Sequence, residues 1–301
     1  MAVSRPLSRP EVRLRPARPG SPLERRPGLR LGRVLVFLAL VALSLLILYP
    51  ALWMISTSLK PDAQVFAFPP RWIPAPVEWG NYARAWASAP FGRYALNSLL
   101  YAVAVTFGTV LSCSLSAYGF AKLRFPGRDL LFVVLLSTMM IPGLVTLVPQ
   151  YVLFSKLGWI NTYLPLVVPS FFAGAFFTFL LRQYFLGIPN ELIEAARVDG
   201  AGELWIWRRV VLPLATPALA TVAIFTFDGA WNDYVGPLLY LNDERLYPLQ
   251  VGLATFRTAN DTQWQLLMAA SVMVLLPVVL IFFVFQKYFI EGASLSGGVK
   301  G

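Results

Sequence analysis

The chain has 301 residues, of which 57% are hydrophobic and 13% charged, with a net charge of +10 and a mean hydropathy of +0.63. That balance leaves no room for a soluble globular core and places the chain among integral membrane proteins. Without a histidine and with the single cysteine Cys113, it holds neither the familiar His-containing zinc patterns nor a disulfide framework.

Met1 to Arg33 is rich in Arg and Pro and poor in apolar residues, so residues 1–33 read as a disordered basic tail. Val34 to Ile55 follows as an apolar run longer than the core of a signal peptide, with no small-residue cleavage pattern after it, and reads as a retained helix. Five further spans are expected from length and lack of charge: Ala95 to Ala121, Leu130 to Tyr151, Thr162 to Leu181, Val210 to Phe227 and Leu266 to Phe285. The expected fold is all-α, a six-span membrane domain over residues 34–291 with a short tail at 292–301. In the second span Ala104, Gly108, Ser112 and Ser116 recur every fourth residue, a stripe along which another helix can come close. Pro142, Pro165 with Pro169, Pro213 with Pro217, and Pro277 are expected to interrupt four later spans, freeing carbonyls that need new partners.

Six spans place both termini on one side. With the N-terminus inside, 18 Lys and Arg fall on inner segments and 7 on outer ones, and the inner side still leads by 9 to 7 without the tail. Cytoplasmic segments carry this excess, so the termini and the loop at 182–209 are expected to face the cytoplasm of a cell membrane. The same asymmetry explains the basic charge better than nucleic-acid binding does. Tyr49, Trp53, Trp205, Trp207 and Tyr288 fit interfacial aromatic belts.

No Asp, Glu, Lys or Arg lies within the six spans as drawn, which argues against an ion-coupled carrier. Nor does the chain contain a Gly-x-x-x-x-Gly-Lys-Ser/Thr loop, so the energy for any pumping comes from a partner. Gly200-Ala201-Gly202 lacks the third glycine of a dinucleotide loop. Leu295-Ser296-Gly297-Gly298 carries only part of an ATPase signature.

The loop at 182–209 is the densest in pattern. Asn190 can cap a helix start, Glu191 and Glu194 sit where the helix dipole favours negative charge, and Leu192, Ile193, Ala195 and Ala196 populate the opposite side. Two alanines and then Gly200, which tolerates positive φ, make a thin surface and a turn that another protein can approach closely. An ordinary interfacial helix would look similar locally. The full spacing, Glu194-Ala195-Ala196, three residues, Gly200, nine residues, Val210, one residue, Leu212-Pro213, resembles the coupling loop of permease subunits of ABC importers, with Val210 where the family usually has Ile.

A second set, Ala230-Trp231-Asn232-Asp233-Tyr234, Gly236-Pro237-Leu238, Tyr247-Pro248-Leu249 and Val251-Gly252-Leu253, with Gly297-Gly298-Val299-Lys300-Gly301 at the end, resembles the carbohydrate branch, in particular the smaller permease subunit of maltose-type importers. The resemblance covers roughly residues 34–301. It implies the type I importer permease fold, a heterodimer with a second permease subunit, a cytoplasmic ATPase dimer that binds Mg-ATP, and an external solute-binding protein that delivers sugar. The chain itself then needs no cofactor and is no enzyme. Glu194, Ala195, Ala196, Asp199, Gly200, Val210, Leu212 and Pro213 are the implied ATPase-coupling residues, and Trp231, Asn232, Asp233, Tyr234 and Pro237 the implied contact with the binding protein. Asn97, Ser98, Thr106 and Thr138 are able to hydrogen-bond a hydroxyl-rich ligand but read better as polar helix-packing contacts. A permease for another solute and, further off, a carrier or channel without an ATPase are the alternatives.

Overall fold

The structure is a computed structural model that describes residues 28–256 and 262–297. The basic tail up to Pro27 and the last residues, 298–301, lie outside the described residues. The chain divides into two units, one ending at Pro50 and the other beginning at Ala51.

The first unit contributes most of α1 (Gly28–Ser58), an apolar helix that keeps Pro50 inside it without ending. Helix therefore begins several residues before the expected Val34. In the second unit come α2 (Asp62–Val65), α3 (Gly80–Ala87), and α4 (Phe91–Lys122), a 32-residue helix without proline. Next are α5 (Arg128–Ser137), α6 (Gly143–Lys156), α7 (Leu164–Val167), α8 (Ala175–Leu186), α9 (Asn190–Val198), α10 (Glu203–Ile206), α11 (Leu212–Leu214) and α12 (Thr216–Trp231). The chain ends with α13 (Val235–Tyr240), α14 (Leu249–Ala254) and α15 (Trp264–Gly297). Residues 292–297, expected as tail, are thus helical. Among the described residues, four helices are long and apolar enough to cross a membrane, and up to six spans result when each of two bent pairs counts as one.

α4 is the central element, packed against α8 and α12, while α12 and α3 pack on α15. Its small residues make this possible. Towards Lys122, Cys113, Ala117 and Tyr118 pack with Leu181 and Phe185 of α8 and with Ala218 and Val222 of α12. Towards Phe91, Tyr94, Tyr101 and Ala102 pack with Trp231, Leu266, Ala270 and Val274. The stripe expected on α4 is used at Gly108, where a Cβ would collide with the side chains of Ser170 and Phe171.

The prolines behave unequally. The expected third span bends by 99° between α5 and α6, at Ile141 and Pro142. The fourth changes to a 3-10 turn at Val168–Phe171 before α8 begins. There α4 supplies donors for the freed carbonyls: Ser112 Oγ donates to Ser170 O at 2.9 Å and Cys113 Sγ to Gly174 O at 3.6 Å. The fifth, drawn as Val210 to Phe227, bends by 85° at Ala215, between Leu214 and the start of α12. Pro213 lacks an N–H, and Pro217 sits in the first turn of α12, where none is needed. Pro277 interrupts nothing, being inside the continuous α15.

Candidate functional site

α8 ends at Leu186 with Gly187 as its C-cap, and Pro189, with extended backbone, takes the capping position of α9. Asn190, expected as the cap, is instead the first helical residue, and its side-chain oxygen accepts from Lys122 Nζ at 2.8 Å. Lys122 also donates to Ile188 O at 2.6 Å, so the last residue of α4 holds the entry to α9 from two sides.

α9 buries a narrower face than its composition suggests. Ile193 and Ala196, three apart, enter the core beside Phe185, Tyr118 and Ile206. Leu192 and Ala195, expected on the same side, are turned outward with Glu194, because neighbouring residues on a helix point about 100° apart. The helix ends in a Schellman turn: Ala201 N donates to Ala196 O at 2.9 Å and Gly200 N to Arg197 O at 3.0 Å. Gly200 has φ +83° and open space where a Cβ would stand, so it is required by conformation and not by crowding.

Beyond the turn, Glu203 opens α10 and closes the hairpin. Arg197 Nε lies 2.8 Å from Glu203 Oε1, its Nη2 lies 3.3 Å from Oε2, and Tyr118 of α4 donates to Oε2 of the same carboxylate. The hydrogen bond from Arg197 lowers the pKa of Glu203 below the usual carboxylate value, and the same bond raises that of Arg197. Trp207–Val211 then forms one π-helical turn. Five residues apart across that turn, Ile206 and Val211 both point inward and are fully buried. Arg208 and Arg209 are exposed.

The α9–α10 hairpin leaves an open groove of about 570 Å³. Ala195, Ala196, Asp199, Gly200 and Val210 line it, as do Leu192 and Trp205, which the sequence pattern did not single out for this role. Val198 and Leu204 stand exposed on the hairpin as well, at 88% and 70%. Glu194 is exposed on α9, while Leu212 and Pro213 lie outside the groove, at the approach to the 85° bend. Arg197, Glu203, Tyr118 and Lys122 were also missed. The one available signal was that Tyr118 and Lys122 are four apart at the end of a span.

At the other end of α4 the loop between α12 and α15 is fastened down. Asn97 Nδ2 donates to Arg245 O and Tyr247 O at 2.9 and 3.0 Å, Ser98 Oγ accepts from Leu249 N at 2.8 Å, and Tyr94 and Tyr101 donate to Glu244 and Asp233. Thr106 and Thr138 bond to carbonyls of their own helices. Trp231 and Pro237, expected at a protein contact, are buried in this chain. The Trp231 indole donates to Val274 O at 3.2 Å and stacks on Phe227, because α12 must close against α15. Asn232 and Tyr234 are exposed, and Asp233 is half-buried. Residues 257–261, in the loop before α15, lie outside the described residues. Among the described residues no three His, Cys, Asp or Glu are grouped to hold a metal.

Apolar helices around a proline-free central rod, with a rigidly held hairpin presenting an apolar groove, define a transport permease of the type I importer fold. The chain belongs to the family of binding-protein-dependent transport system inner membrane components, whose model matches residues 108–294, and so is a multi-pass membrane protein and an ABC-importer permease subunit. It is similar to the sn-glycerol-3-phosphate transport system permease protein of Yersinia enterocolitica, 36% identical over 256 residues, covering 82% of this chain and 91% of that one. It is likewise similar to the arabinooligosaccharides transport system permease protein of Bacillus subtilis, 32% identical over 282 residues, covering 93% and 100%. Among solved structures, a chain from a bacterial ABC transporter that imports the acidic polysaccharide alginate superimposes with a TM-score of 0.79 at 27% identity, covering 89% of this chain and all of that one.

Proposed function

We propose that this chain forms half of the translocation pathway for a sugar or oligosaccharide. A second permease subunit supplies the other half, a cytoplasmic dimer of ATPases hydrolyses Mg-ATP, and an external solute-binding protein delivers the cargo. The chain itself performs no hydrolysis and carries no cofactor. Both termini and the α9–α10 hairpin face the cytoplasm.

The observation that carries this reading is the hairpin. It offers an open, largely apolar groove that no other described segment of the chain fills, and it is tied to α4 by Lys122 and by the Tyr118–Glu203–Arg197 cluster. A lever needs both properties, since a loop that bends would dissipate the push before it reached the spans. Ala195 and Ala196 form its thin wall, Asp199 and Gly200 its turn, and Val210 a side of the groove. Glu194 stands on the exposed face for a partner to pair with. Leu212 and Pro213 lead into the bend through which α12 follows. At the other membrane face, Asn232, Tyr234 and the half-buried Asp233 remain as the contact for the delivering protein, with Trp231 and Pro237 supporting them from the core.

The lack of charge in the spans as drawn from the sequence supports a hydroxyl-rich, neutral cargo, and two similar proteins carry carbohydrate in their names, one an arabinooligosaccharide and the other an acidic polysaccharide. A phosphorylated polyol is the second reading, favoured by the 36% identical relative. Purified complex reconstituted with its binding protein separates them: neutral oligosaccharides are expected to stimulate ATP hydrolysis, and stimulation by glycerol phosphate alone would replace sugar with the second reading. Labelling of a cysteine at Glu194 from the external side only would overturn the coupling assignment itself.

A further inference from the structure

Between α1 and α3 the chain makes a closed strap over residues 59–79, and the polar groups at its neck are used internally, while Asp62 and Arg71 are exposed. Glu78 N donates to Leu59 O at 2.9 Å, Asn81 Nδ2 donates to Ser58 O and Lys60 O at 2.8 and 2.9 Å, and the Gln64 side chain bridges to both backbone groups of Ala75. Lys60 is buried, its ammonium 3.8 Å from the centre of the Trp53 ring. The apolar side chains point the other way: Phe68 is 94% exposed, Ile73 81%, Phe66 78% and Trp79 70%. An apolar patch of this kind outside the spans marks a surface that something covers.

Two contacts fix the height of the strap. Trp72 meets Trp53, in the last turns of α1, edge-on at 5.0 Å, and its carbonyl accepts from Ser56 Oγ. Phe66 meets Trp264, the first residue of α15, edge-on at 6.1 Å. Both helices are long and apolar enough to cross a membrane. The strap is therefore level with the ends of two spans, where tryptophan rings prefer to lie and where one surface of the molecule already meets lipid.

We propose that residues 59–79 form an interfacial anchor that lies on the lipid headgroup region, at the membrane face opposite the α9–α10 hairpin. Phe66, Phe68, Ile73 and Trp79 enter the boundary between headgroups and acyl chains, and exposed Arg71 reaches lipid phosphate. Lipid fits better than a protein that docks and leaves, because such an interface is rimmed by polar groups. Here the polar side chains at the neck are already bonded. The anchor would hold the outer end of α1 and the start of α15 at one depth, whatever grips the hairpin.

The test uses the full transporter in nanodiscs of phosphatidylethanolamine and phosphatidylglycerol, with Cys113→Ser and a nitroxide label on Phe68→Cys or, separately, Ile73→Cys. A label on exposed Asn242→Cys, outside the strap, serves as the aqueous reference. At both strap positions, collision with oxygen, which partitions into lipid, is expected to exceed the reference several-fold, and collision with a water-soluble nickel chelate to fall several-fold. Nickel access equal to that at Asn242 would overturn the proposal by leaving the strap in water. Exclusion of both reagents would overturn it in favour of the second permease subunit, and exclusion appearing only on adding the binding protein would overturn it in favour of that partner.

Discussion

At its Lys122 end α4 holds the α9–α10 hairpin through polar clamps and leaves Leu192, Val198, Leu204 and Trp205 turned outward. At its Phe91 end it holds the loop before α15 through Tyr94, Asn97, Ser98 and Tyr101, and the large side chain there, Trp231, is turned inward. The same helix thus fastens one loop with its largest side chains left available and another whose tryptophan is consumed in packing while Val235 and Leu238 stay exposed. Orientation, not composition, separates an available aromatic or aliphatic side chain from a packed one.

The largest change is expected from attacking the consumed side. Trp231→Ala removes a buried indole and its hydrogen bond to Val274 O, a loss of about 3–5 kcal/mol for a core aromatic. Thermal unfolding of the purified protein in detergent should show a marked drop, and an unchanged midpoint would mean that Trp231 is not a core residue. Gly200→Val should act on the other side. A β-branched residue at φ +83° costs about 1–3 kcal/mol locally and adds bulk to the groove wall, so uptake per ATP hydrolysed should collapse while membrane insertion persists. Normal uptake in that variant would remove the hairpin from the coupling path.

Tyr118→Phe is expected to be milder. It deletes one hydrogen bond to a carboxylate, a class worth about 1.5–3 kcal/mol when well shielded and less here because Glu203 is partly open to solvent. The coupling ratio should fall a few-fold with ATP affinity unchanged, and combining it with Glu203→Gln should add little, since both break one cluster. The smallest effect is that of pH. Because Glu203 titrates below the usual carboxylate range, its contribution is complete above the ordinary value of 4.5 and is lost only as pH falls through the lowered one. Coupling should be flat from neutrality down to that range, and a midpoint near pH 7 would point to another group.

Much of this was legible in the chain. Apolar run lengths pointed to the four helices long enough to cross a membrane and to the two bent pairs, and the spacing from Glu194 to Pro213 includes Ala195, Ala196, Asp199, Gly200 and Val210, which line one groove. Other features were hidden for physical reasons. Pro142 and Pro213 mark bends, whereas Pro50, Pro149 and Pro277 stay inside helices. A missing N–H permits a break, and only the neighbouring helix decides whether the freed carbonyls are met. Trp231 could not be told from an interfacial tryptophan by type. The Arg197–Glu203 pair comes together only after the turn at Gly200 has reversed the chain.

α4 has one more consequence. At 32 residues it measures about 48 Å, well beyond a hydrocarbon layer of about 30 Å, and nothing along it is a hinge. Both fastened loops therefore sit on the protruding tips of one stiff pushrod. Any tilt imposed at one tip appears at the other, and by thermodynamic reciprocity whatever binds differently at one tip biases what is bound at the other.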